Sequence, residues 1–129
     1  MFRFRLDGSS GVPPYLQLVH QVRQSLLLGY LQQGDRLPTV KDVAADLVIN
    51  PNTVVKAYRQ LEHERLAAGR PGQGTFITAT GSPAVPEAQA ALRESLERWL
   101  RDAGEAGLDD DAVTALIAVA RYDMRKERV

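Results

Sequence analysis

The chain has 129 residues, 44% of them hydrophobic and 25% charged, with no cysteine and a formal net charge of zero. These values exclude a disordered or fibrous chain, a disulfide scaffold and cysteine-ligated zinc, and their scale is one domain or one small domain with an appendage. The zero charge hides an asymmetry that hints at two jobs: residues 1–80 carry nine Lys/Arg against six Asp/Glu, and residues 81–129 carry seven against ten.

In chain order, Phe2, Phe4 and Leu6 alternate with Arg3 and Arg5, the pattern of a short strand, and Gly8–Gly11 reads as a turn. Pro13 and Pro14 suit a first helical turn, and the helix they open is predicted to run to about Leu31. It buries Leu16, Val19, Val22, Leu26, Leu27 and Tyr30, spaced by threes and fours. Gly34 and Asp35 break it, and Pro38 forces Leu37 out of the helical region. Thr39, with Asp42 three residues on, is the pattern of a capping box for a helix from Val40 to about Leu47, with Val43, Ala44 and Leu47 inward. After a break at Val48 and Ile49, Asn50 caps and Pro51 opens a third helix. It continues to about Glu64 and buries Val54, Ala57, Tyr58 and Leu61. The period then switches to strand. Leu66–Ala68 and Thr75–Thr78 flank Gly69–Gly74, which reads as a hairpin tip. Residues 81–86 are a linker. Two amphipathic helices follow: Glu87–Ala103 carries Ala88, Leu92, Leu96 and Trp99, and Asp110 to about Lys126 carries Val113, Leu116, Ile117, Ala120 and Met124, with Gly104–Gly107 between them.

No apolar run approaches the roughly 18 residues of a membrane span. The N-terminus MFRFRLDGSS has no apolar segment of a secretory signal. A soluble, cytoplasmic protein without a membrane partner is the expectation.

Helix, short helix, brief turn, capped helix and glycine-tipped hairpin together make a winged helix-turn-helix. The face of the third helix opposite its buried stripe offers Asn52, Val55, Lys56 and Arg59, with Asn50 and Thr53 near its start. That mixture suits a major groove: asparagine pairs with adenine, lysine reaches guanine or phosphate, and free N–H groups at a helix start attract phosphate. The hairpin tip, with Arg70 and Gln73 beside bare glycines, suits the minor groove.

The segments PPYLQLVHQVRQSLLLGYLQQGDRLPT, VKDVAADLVINPNTVVKAYRQLE and GQGTF, within Pro14 to Thr78, resemble the DNA-binding domain of the GntR family of bacterial transcription regulators. The wording INPNTVVKAYRQLE and the short C-terminal part are most similar to the small YtrA-like subfamily. The resemblance implies a dimeric repressor on a palindromic operator, contacting DNA through Lys41, through Asn50, Asn52, Thr53 and Lys56, and through Arg70, Gly72 and Gln73. Arg59 joins them from its place on the helix face. The chain departs from the family pattern at Val48 and Arg65, where glycine is usual, and at Pro71 and Gln73, where arginine is more common. A β-branched residue is costly at positive φ, so a rearranged turn is expected at Val48, and weaker wing contacts are expected at the tip.

The same residues admit competing readings. The Gly69–Gly74 loop lacks the Lys-Ser/Thr of a P-loop and runs into strand at Phe76 and Ile77, so nucleotide binding is not expected. His20 and His63 read as structural or surface residues, and Asp109–Asp111 as helix-start acids, so no metal is expected. No nucleophile motif exists, so neither an enzyme nor a cofactor is expected. Two helices on a short loop cannot bury both their stripes alone. Leu92, Leu96, Trp99, Val113, Leu116, Ile117 and Ala120 are therefore predicted to pair with a second copy. A small-molecule effector stays open as a partner; the short C-terminal part leaves little enclosed room within one subunit, and a site at the dimer interface stays open. The expectation is an α+β fold: a winged helix-turn-helix over residues 1–80, a linker over 81–86 and a two-helix dimerisation appendage over 87–129. Its function is sequence-specific repression of transcription, with a non-specific architectural DNA binder or a protein-interaction module as the alternatives.

Overall fold

The computed structural model describes residues 2–81 and 86–127. Among these, the elements run α1 (Pro14–Leu27), α2 (Val40–Leu47), α3 (Pro51–His63), β1 (Ala67–Arg70), β2 (Gly74–Ile77), α4 (Pro86–Glu105) and α5 (Asp110–Glu127). The chain divides into two units, residues 1–84 and 85–129. The predicted linker falls largely on residues 82–85, outside the described residues.

Local chemistry starts the helices of the first unit. Proline opens α1 and α3. The Thr39 hydroxyl accepts the Asp42 N–H at 3.1 Å, and Asn50 Oδ1 accepts the Asn52 N–H at 2.8 Å. The ends of α1 to α4 share one device. In the Schellman motif a left-handed residue lets the next N–H reach five residues back to a carbonyl the helix has orphaned. Tyr30 reaches Ser25 at 2.8 Å, Ile49 reaches Ala44 at 3.1 Å, Leu66 reaches Leu61 at 2.9 Å, and Leu108 reaches Ala103 at 3.0 Å. Glycine holds the left-handed position after α1 (Gly29, φ 76°) and α4 (Gly107, φ 92°). After α2 and α3 that position is filled by Val48 (φ 54°) and Arg65 (φ 61°). The predicted rearrangement at Val48 does not occur: the turn keeps its geometry and the valine adopts the strained conformation.

The core lies where α3 packs against α1, α2 and β1. Val54, Ala57, Tyr58 and Leu61 meet Leu18, Val19, Val22 and Leu26 of α1 and Val43 and Ala44 of α2, with Leu37, Ala67 and Ile77 closing the cluster. Each such Val or Leu side chain contributes about 1.5–3 kcal/mol relative to exposure. Leu16 and Leu47 are half-buried at its margin.

Three expectations are corrected. First, α1 stops at Leu27 rather than near Leu31, because Gly29 turns the chain out of the helix. Leu27 and Tyr30 are consequently 72% and 55% exposed, while Leu18 and Leu31 take the buried places. Second, Phe2–Leu6 forms no strand. Its alternation has a different cause: Phe4 is buried while Phe2 and Leu6 pack on the cluster, and the backbone of Arg5 bonds to the side chain of Gln21 through both N–H (2.8 Å) and carbonyl (2.6 Å). Third, the hairpin strands extend closer to the tip than predicted. They pair antiparallel from Ala67↔Ile77 to Arg70↔Gly74, so Gly69, Arg70 and Gly74 sit on strands and only Pro71, Gly72 and Gln73 make the tip.

In the second unit, α5 starts on Asp109, whose Oδ1 accepts the Ala112 N–H at 2.8 Å. Ala103 is its one buried hydrophobic among the described residues. Leu92, Leu96, Trp99 and Leu116 are exposed, as is Ala120, while Val113 and Ile117 are half-buried. No helix among the described residues is long and apolar enough to cross a membrane.

Candidate nucleic-acid interface

Two tertiary anchors orient α3 relative to the elements around it. Near its middle, the Tyr58 hydroxyl donates to the Pro38 carbonyl, tying the α1–α2 loop to the helix. Burial pushes this phenol well above its ordinary range. At its end, the Arg23 guanidinium of α1 grips the Glu64 carboxylate with two bonds, 2.8 and 2.5 Å, and Gln60 adds a third at 2.7 Å. Arg23 first, then Gln60, holds the Glu64 carboxyl below the usual range. A third tie, Arg3 to Asp46, spans the surface from the N-terminal segment to α2 at 2.8 and 3.2 Å.

With α3 held this way, Asn52, Lys56, Arg59 and His63 are exposed and Val55 half-exposed along one side. Together with Gln60 they line a shallow groove. Thr53 is half-buried. The Lys56 ammonium sits 4.0 Å from the centre of the Tyr15 ring, a cation–π contact that keeps the charge at the surface in a defined place. The start of α3 differs from the expectation of free N–H groups. Pro51 has none, that of Asn52 goes to Asn50 Oδ1, and that of Thr53 goes to the Asn50 carbonyl at 2.9 Å. Asn50 is thus engaged as the cap through its oxygen. An unbroken cap leaves only its amide N–H groups for anything outside.

Lys41 is exposed in the first turn of α2. On the wing, the Arg70 guanidinium lies 4.5 Å over the Phe76 ring, and Gly72 (φ 72°) and Gln73 are exposed at the tip, where the Gln73 N–H returns to the Arg70 carbonyl at 2.9 Å. One cation beside them escaped sequence reasoning. Arg36, in the α1–α2 loop, forms an antiparallel bridge with Phe76, which brings it to the wing. Its position in the sequence, four residues before a helix, carries no periodic signal that would single it out.

A cavity of about 400 Å³ also opens in this unit, lined by Phe2, Phe4, Leu37, Pro38 and Val43 together with the Arg3–Asp46 pair. That volume is within the range small ligands use. It puts room in the first unit, whereas the sequence left open only a site at the dimer interface. No group of three His, Asp or Glu side chains among the described residues is arranged to hold a metal.

Three helices with a helix-turn-helix connection, a two-stranded wing and an exposed Asn/Lys/Arg face on the third helix define a winged-helix DNA-binding protein. Residues 14–77 match the bacterial regulatory proteins of the gntR family. Over 106 residues the chain is 34% identical to the HTH-type transcriptional repressor YtrA of Bacillus subtilis (strain 168), covering 81% of this chain and 82% of that protein. Among solved structures, a transcriptional antiterminator from Listeria monocytogenes EGD-e is similar with a TM-score of 0.59 at 28% identity, over 95% of this chain and 92% of that one. YtrA from Sulfolobus acidocaldarius, described as a GntR-family transcription factor, is similar with a TM-score of 0.55 at 26% identity, over 76% and 97%. The chain belongs to the GntR family and is a DNA-binding transcription regulator, not an enzyme.

Proposed function

We propose that the protein represses transcription by occupying a palindromic operator as a homodimer in the cytoplasm. The observation that carries the reading is the two-sided α3: Val54, Ala57, Tyr58 and Leu61 are buried, and the opposite side presents Asn52, Lys56 and Arg59 to solvent. Each subunit lays this side in a major groove, with half-sites about 34 Å apart. Asn52 and Lys56 read base edges, with Asn50 contributing its amide. Thr53 and Arg59 meet the flanking backbone, Lys41 takes a phosphate beside α2, and Arg70, Gly72 and Gln73 follow the minor groove. Residues 1–80 are the reading domain, and residues 87–129 dimerise beyond the 81–86 linker through Leu92, Leu96, Trp99, Val113, Leu116, Ile117 and Ala120. The exposure of Leu92, Leu96 and Trp99 supports that role, and the repressor name of the 34% identical relative supports the sign of regulation.

Selection of a random DNA library by the purified protein at near-physiological salt tests the reading. The expected result is one enriched palindrome, bound by a dimer. Asn52→Ala then relaxes the choice at one position per half-site, costing about 1–3 kcal/mol. Retention without enrichment, fading steeply as salt rises, would make the protein an architectural binder. Absence of retention would make it a protein-interaction module.

A further inference from the structure

The wing is tied to the rest of the unit by a third segment, residues 34–37. The Gly34 N–H donates to the Ile77 carbonyl (2.8 Å), the Ile77 N–H to the Asp35 carbonyl (2.8 Å) and the Leu37 N–H to the Thr75 carbonyl (2.9 Å). This places Arg36 opposite Phe76, and its side chain lies across Gly74. A Cβ built on Gly74 would fall 2.9 Å from Arg36 Nε and 3.4 Å from Nη2. Glycine at this position thus does two things: it accepts φ 121°, and it leaves bare backbone on which the guanidinium rests.

The guanidinium is exposed and makes no ion pair among the described residues. The nearest acid in sequence, Asp35, is turned to the Gln32 N–H at 2.8 Å. Arg36 and Arg70 line one shallow hollow with Thr39, Gly72 and Gln73, and no carboxylate lines it. Arg70 is stacked on Phe76, so both guanidiniums are held by β2, one through its backbone and one through its ring. Two fixed, unneutralised guanidiniums with a hydroxyl and an amide beside them suit an anion whose oxygens accept several N–H bonds at once.

We infer that Arg36 is a further DNA-binding residue, and that it takes a backbone phosphate of the operator at the edge of the wing. This rests on the reading of the protein as an operator-binding regulator. Arg36 positions the wing and adds affinity without choosing sequence. It offsets part of the weakness expected from Pro71 and Gln73 at the tip.

The test is the salt dependence of operator binding by the full chain, compared with Arg36→Ala and Arg36→Lys. Each phosphate contact contributes about 0.9 to the slope of log affinity against log salt; carried from 1 M to 0.1 M salt this is about eightfold per subunit. In the proposed dimer Arg36→Ala removes this contact from both subunits, so it is expected to lose about 1.8 in slope, roughly sixtyfold over the same salt range, on every DNA sequence alike, with its melting curve and sequence preference unchanged. Arg36→Lys is expected to restore the slope. Should Arg36→Ala melt early, Arg36→Gln, which keeps the stem over Gly74, is measured in its place. An unchanged slope in the neutral variant, with Lys41→Ala still weakening binding, overturns the assignment and leaves the operator reading standing. A changed base preference without a change in slope overturns it as well. A wild-type chain that retains no DNA overturns both.

Discussion

Replacing Val48 by glycine is expected to stabilise the first unit by about 1 kcal/mol. Val48 stands at φ 54°, ψ 55° at the end of α2, where a Cβ crowds the following carbonyl at a cost of about 1–2 kcal/mol. Branching at Cβ puts valine toward the upper end. Its side chain is 88% exposed, so truncation gives up almost no buried area. The opposing effect lies in the unfolded chain, where glycine gains entropy amounting to about 0.4–1 kcal/mol. In a domain of this size 1 kcal/mol corresponds to a rise of about 4–8 °C in Tm. Thermal unfolding followed by circular dichroism, with urea midpoints alongside, reads the difference. Arg65→Gly serves as an internal comparison, because Arg65 holds the same left-handed position after α3 (φ 61°) without a branched Cβ and should gain less. A Val48→Gly protein that melts at or below the wild-type temperature, or gains less than Arg65→Gly, would refute the assignment of strain to this turn.

Two further outcomes follow from the anchors of α3. Tyr58→Phe removes the hydroxyl that meets the Pro38 carbonyl and should cost about 0.5–1.5 kcal/mol, measured as a lower urea midpoint, with weaker DNA binding if the α1–α2 loop loses its register on α3. The Glu64 carboxyl, held below its ordinary 4.5 by Arg23 and Gln60, makes a contribution that is complete above that value. It is lost as pH falls through the depressed folded value. Urea midpoints of wild type should therefore drop more steeply than those of Glu64→Gln between about pH 6 and about pH 3, and parallel curves would remove the Arg23–Glu64 grip from the account.

The parts of the site that depend on neighbours in sequence were legible in it. Asn50 and Pro51 open α3 as their chemistry dictates, Thr39 caps α2, and the threefold and fourfold spacing of Val54, Ala57, Tyr58 and Leu61 correctly divides α3 into a buried and an open side. The end of α1 was also written locally, in Gly29 followed by the apolar Tyr30 and Leu31, the signature of a left-handed cap with a hydrophobic residue after it. Continuing the apolar period past that glycine is what mislaid Leu27 and Tyr30. The alternation of Phe2, Phe4 and Leu6 was real, but period alone cannot distinguish a partner strand from a helix that offers a glutamine side chain to the backbone, as Gln21 does to Arg5.

By itself, then, the amino-acid sequence determined the class of the protein: its helix starts, the amphipathic division of its helices, the hairpin and the family they compose. Each of these rests on chemistry within a few residues of the chain. Tertiary structure alone decided the seat of Lys56 on Tyr15 and the arrival of Arg36 at the wing. Those features are set by groups far apart in sequence. Which of several open conformations or contacts a side chain takes is resolved only when packing brings its partner into reach.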